Sequence, residues 1–83
     1  MYHGEAPSHQ VMISFIQWAS TNKAVAESLL AKIPAQPMLM ERLAFVVTDS
    51  GQSEEFCRIY AASHSQGVKE ILARIQRYQP ACG

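Results

Sequence analysis

Pro37-Met38-Leu39-Met40-Glu41-Arg42-Leu43-Ala44-Phe45-Val46-Val47-Thr48 is the stretch on which the fold class turns. Its second half, Ala44 to Thr48, is the one run in the chain that leans towards a β-strand. No partner run exists elsewhere, and a lone strand leaves its backbone donors and acceptors unpaired. Read at 100° per residue, the same stretch is a helix over about 37–48, with Leu39, Met40, Leu43, Ala44, Val46 and Val47 on one broad face. Pro37 suits the first helical position, where its missing N–H costs nothing. Met38 and Phe45 project from the opposite side and flank Glu41 and Arg42.

Outward from this helix the same periodicity recurs. Upstream, Val11, Met12, Phe15, Ile16 and Ala19 share a stripe, with Trp18 close to Val11 on it, and Ser8 is a natural N-cap. This predicts a first helix over about 9–20. Ser20-Thr21-Asn22 interrupts it, and Val25, Ala26, Leu29, Leu30 and Ile33 predict a second helix over about 22–33, ended by Pro34. Downstream, Thr48-Asp49-Ser50-Gly51 is a turn by composition. A fourth helix starts near Ser53 with Phe56, Ile59, Tyr60 and Ser63 inward, and Glu54 and Glu55 complement its N-terminal dipole. Ser65-Gln66-Gly67 breaks the run, and Val68, Ile71, Leu72, Ile75 and Tyr78 predict a fifth helix over about 68–78. The expectation is an all-α fold: a small bundle of four or five short helices filling one domain over residues 8–79. Residues 1–7 read as a flexible N-terminal tail and residues 80–83 as a frayed C-terminal one.

The chain has 83 residues and no net charge, which allows one small domain with a thin core. An apolar share of 48% argues against disorder, and the neutral balance argues against a generic polyanion binder. No apolar run is long enough for a membrane span, and the first ten residues lack a secretory pattern. Cys57 and Cys82 fit neither a disulfide framework nor a zinc spacing, so they are expected as two reduced thiols in a cytoplasmic protein.

Chemistry-bearing constellations are sparse. There is no nucleophile elbow, Walker loop or dinucleotide fingerprint. Glu54 and Glu55 are adjacent on a helix and so diverge by 100°. Cys57 and His64 share a helix face but are separated by about 10 Å of rise, too far for one zinc. No catalytic residue, metal site or cofactor is therefore expected. The segment Ile59 to Val68 resembles a helix-turn-helix, which implies a DNA-binding regulator over about 54–78 with Lys69, Arg74 and Arg77 as its basic residues. It departs from that pattern at the turn, where Ser63-His64 replaces a glycine and an apolar residue, and at Lys69, where a buried residue belongs. Phe15-Ile16-x-x-Ala19-x-x-Asn22-x-x-Val25-x-x-x-Leu29, followed by Glu54-Glu55-Phe56, resembles a helical family associated with nitrogen fixation and with leader regions of modified peptides. That likeness spans under half of the chain, with roughly twenty residues between its two parts.

An interaction surface is the reading the residues favour. Met38 and Phe45, seven apart, stack on the outer side of the third helix, and Ile13, off the main stripe of the first, extends them. Trp18 is a lower-ranked anchor. These four residues predict a small non-catalytic module that binds another protein, a second copy of itself being one form of that partner.

Overall fold

A computed structural model describes residues 8–80 and 82. These residues form five α-helices, α1 (His9–Thr21), α2 (Lys23–Leu30), α3 (Pro37–Asp49), α4 (Ser53–Tyr60) and α5 (Gln66–Tyr78), with a short 3-10 turn at Ile33–Ala35. The fold is all-α, as the periodicity predicts, and α3 is helical through Val46, Val47 and Thr48. The expected tail over residues 1–7 lies outside the described residues.

Local chemistry sets each boundary. Ser8 opens α1 by accepting the Val11 N–H at 3.2 Å. At its other end the Asn22 backbone and side-chain N–H groups both donate to the Trp18 carbonyl, at 3.0 and 2.9 Å. Side-chain competition for backbone acceptors ends α1, and the Asn22 carbonyl starts α2 by accepting the Ala26 N–H.

The second helix stops at Leu30, three residues short of the expected end. Proline acts one turn back: Pro34 has no N–H to give the Leu30 carbonyl, and its ring crowds that oxygen. The chain tightens instead into the 3-10 turn, and Gln36 donates to Ile33 at 2.8 Å. A Schellman motif closes α3. Gly51, at φ +76°, donates to Thr48, and Gln52 donates to Val47, at 3.1 and 3.0 Å.

Helix α5 begins two residues earlier than expected. Ser65 caps it by accepting the Val68 N–H at 3.3 Å, which draws Gln66 and Gly67 into the helix. Gly67 lies against the end of α2. A Cβ built there would stand 2.7 Å from the Ala31 Cα, so a residue with no side chain is required for this approach.

The central helix is α3, which touches α1, the 3-10 turn, α4 and α5. Met40, Leu43, Ala44, Val46 and Val47 on α3 meet Ile16, Leu30, Phe56, Tyr60, Val68, Ile71 and Ile75 in one buried cluster. The Tyr60 hydroxyl donates to the Ala19 carbonyl at 2.7 Å inside that cluster. It satisfies one of the carbonyls that the end of α1 leaves open.

The cysteines correct an expectation. Cys57 on α4 and Cys82 are joined by a disulfide, with their Cα atoms 5.6 Å apart. Both are buried, so Cys82 is anchored on the core where composition predicts fraying. No helix among the described residues is long and apolar enough to cross a membrane.

Candidate apolar interaction surface

The two apolar residues singled out on α3 do stand outside the core. Met38 is 87% exposed and Phe45 48%. Phe45 meets the ring of Tyr78 on α5 edge-on, with centroids 6.3 Å apart, so a shallow patch of Met38, Phe45 and Tyr78 crosses from α3 to α5. Charges border it. Glu41 accepts hydrogen bonds from Arg74 and from the Tyr78 hydroxyl. The Tyr78 bond above all, with Arg74 and Arg77 nearby, holds the Glu41 carboxyl below its ordinary pKa, although partial desolvation opposes this. The same bond raises the pKa of Tyr78.

Ile13 does not extend this patch as a free side chain; it is half-buried and packs against the core. Trp18 stands on the surface of α1 at 38% exposure, with its ring centroid 5.8 Å from that of Phe15. The expected apolar stripes of α1 and α2 thus divide. Met12, Ile16 and Ala19 enter the core from α1, and Ala26 and Leu30 enter it from α2. Val11, Trp18, Val25 and Leu29 remain outside.

This division creates a second surface. Val11, Phe15, Leu29 and Leu39 stand around a groove floored by Met12, Ile33 and Leu43, and every lining side chain is apolar. Its volume is about 280 Å³. The groove lies where α2 ends at Leu30 and the 3-10 turn, whose Ile33 is part of its floor, leads into α3. Periodicity found its residues but assigned them to the core. The signal for exposure was the excess: Val11, Phe15 and Trp18 widen the α1 stripe beyond what one packing face can cover.

The basic residues of the helix-turn-helix alternative are divided as well. Arg74 is bound to Glu41, and Arg77 lies close enough to help lower the pKa of that carboxyl. Lys69 is exposed. Between α4 and α5, Ser63 is buried; its hydroxyl donates to the Glu27 carboxylate and accepts the Ser65 N–H at 3.1 Å. This contact ties the linker to α2. Among the described residues no three of His, Cys, Asp and Glu gather closely enough to hold a metal ion.

Set beside protein-family models, curated proteins and solved structures, the chain matches none of them.

Proposed function

We propose that this chain is a small non-catalytic interaction module, of the kind that serves as an adaptor, regulator, chaperone or inhibitor, and that it binds another protein through an apolar helical surface. One observation carries the reading. The core is complete without Val11 and Leu29, yet these side chains stand together around a groove with no polar lining. Fully burying one such aliphatic side chain is worth roughly 1.5–3 kcal/mol before association costs. A groove of about 280 Å³ lies just below the size range of small-molecule pockets, which favours protein side chains as its contents. Met38 and Phe45 form a separate and shallower patch rimmed by ions.

The cytoplasmic assignment loses its footing, because bonded cysteines no longer argue for a reducing compartment.

Affinity capture from a lysate of the source organism tests the reading, with wild type beside Val11→Glu, Leu29→Glu and Met38→Glu/Phe45→Glu. Circular dichroism accompanies each variant. The expected result is a retained protein lost from folded Val11→Glu and Leu29→Glu and kept by Met38→Glu/Phe45→Glu. Equal retention by all four forms rules the groove out. Loss from Met38→Glu/Phe45→Glu alone moves the surface to α3 and α5.

A further inference from the structure

We infer that the occupant of the groove is a second copy of this chain, docked with α1 antiparallel to α1 about a two-fold axis. This rests on the reading just given and names its partner.

The first ground is charge. From residue 8 to residue 22 the chain holds no Asp, Glu, Lys or Arg. The exposed positions of α1 between Gln10 and Thr21 are Gln10, Val11, Ser14, Gln17, Trp18 and Thr21. A two-fold interface brings residues near the axis against their own copies, so any charge there meets its like. The α1 part of this face offers none. The chain as a whole has no net charge to hold two copies apart.

The second ground is shape. Val11 and Trp18 lie two helical turns apart on one stripe, with Ser14 and Phe15 midway. An axis passing between Ser14 and Phe15 sets Trp18 of each copy over Val11 and the groove of the other. A large side chain then meets a recess, and the small Ser14 lets the two helices approach. Charge-poor interface cores with aromatic anchors are what stable contacts show.

The third ground is area. A 13-residue helix with the groove beside it covers roughly 20 by 25 Å, or about 500 Å² per copy. That is about 1,000 Å² in total, enough for a specific contact though small for a permanent one.

Sedimentation velocity on the oxidised full chain from about 1 to 300 μM tests this. The weight-average mass is expected to rise from 9.2 kDa towards twice that value. The emission of Trp18, the sole tryptophan, should shift to the blue over the same range. Folded Val11→Glu should raise the dimer dissociation constant at least about thirtyfold, and Met38→Glu should leave it unchanged. Ser14→Glu and Ser14→Lys should each be monomeric, and their equimolar mixture should dimerise, because only near a two-fold axis does position 14 meet itself.

A wild-type chain that stays at 9.2 kDa throughout overturns the second copy. If Val11→Glu still loses a captured protein in that case, the groove binds a different partner and only this inference fails. If capture is also unchanged, both readings fail. Dimers that survive Val11→Glu, or a Ser14 mixture that stays monomeric, overturn the α1 geometry.

Discussion

Tyr60 spends its hydroxyl on the Ala19 carbonyl at 2.7 Å, and both groups are buried. Removing one partner of a buried hydrogen bond leaves the other unsatisfied, which costs about 1–3 kcal/mol. Tyr60→Phe should therefore lower the unfolding free energy by that amount in urea titration while leaving the helical spectrum intact. A neutral result would mean that water reaches the end of α1. Gly67 makes the opposite bargain with its element. Glycine inside a helix is about 1 kcal/mol worse than alanine, so Gly67→Ala should stabilise α5 if it acted alone. The new Cβ would stand 2.7 and 2.8 Å from the Ala31 Cα and carbonyl carbon, and backbone cannot rotate away as a side chain can. Overpacking of this kind typically costs 1–3 kcal/mol, so the net effect should be destabilising; a raised melting temperature would show that α2 and α5 part freely. Neither role is legible from sequence. Tyr60 reads as one more inward residue, and Gly67 reads as the break before a helix, because the partner of each lies more than thirty residues away.

At the scale of elements, the sequence is clearest where the end signals are local. Pro37 and the Ser50-Gly51 turn bracket α3 within a residue of the expected bounds. It is less clear where a signal acts at a distance, as when Pro34 ends α2 at Leu30 through a carbonyl four residues back. The contact between α3 and α5 adds a dependence on pH. Glu41 has a lowered pKa, first through the Tyr78 hydrogen bond and then through Arg74. A carboxyl whose folded pKa lies below its unfolded one stabilises the fold above the unfolded value, and that contribution fades as pH falls through the folded value. Tyr78, raised mainly by the same bond, contributes below its ordinary pKa and loses that contribution as pH rises through the folded value. Thermal unfolding of Glu41→Gln across pH should therefore show a shallower loss on the acid side than wild type, and Tyr78→Phe a shallower loss on the alkaline side. Parallel curves for Glu41→Gln and wild type would mean that the contact does not hold in solution.

For the molecule as a whole, the candidate site was half legible. The apolar excess on α1, α2 and α3 is visible in the residues, but which part lies outside depends on where α2 ends and how the 3-10 turn leads into α3. The disulfide was not legible, because two cysteines 25 residues apart say nothing of their distance in space. Its consequence is the largest expected here. Closing a loop of that length restricts the unfolded chain by about 3.5 kcal/mol at 25 °C in the chain-entropy treatment. A domain of 83 residues has a total stability of only about 4–12 kcal/mol. The bridge is therefore about a third of what holds the protein folded at the upper end of that range, and most of it at the lower end. Cys82→Ser is the cleaner variant, since Cys57 also fills space in α4 beside Phe56 and Tyr60. It should melt on the order of 15 °C below the oxidised wild type, and wild type treated with a dithiol reductant should melt with it. Intact mass before and after reduction, differing by two hydrogens, checks that the bridge was present. If Cys82→Ser melts with the oxidised wild type, the tail closes no loop that matters, and the helices alone hold the core.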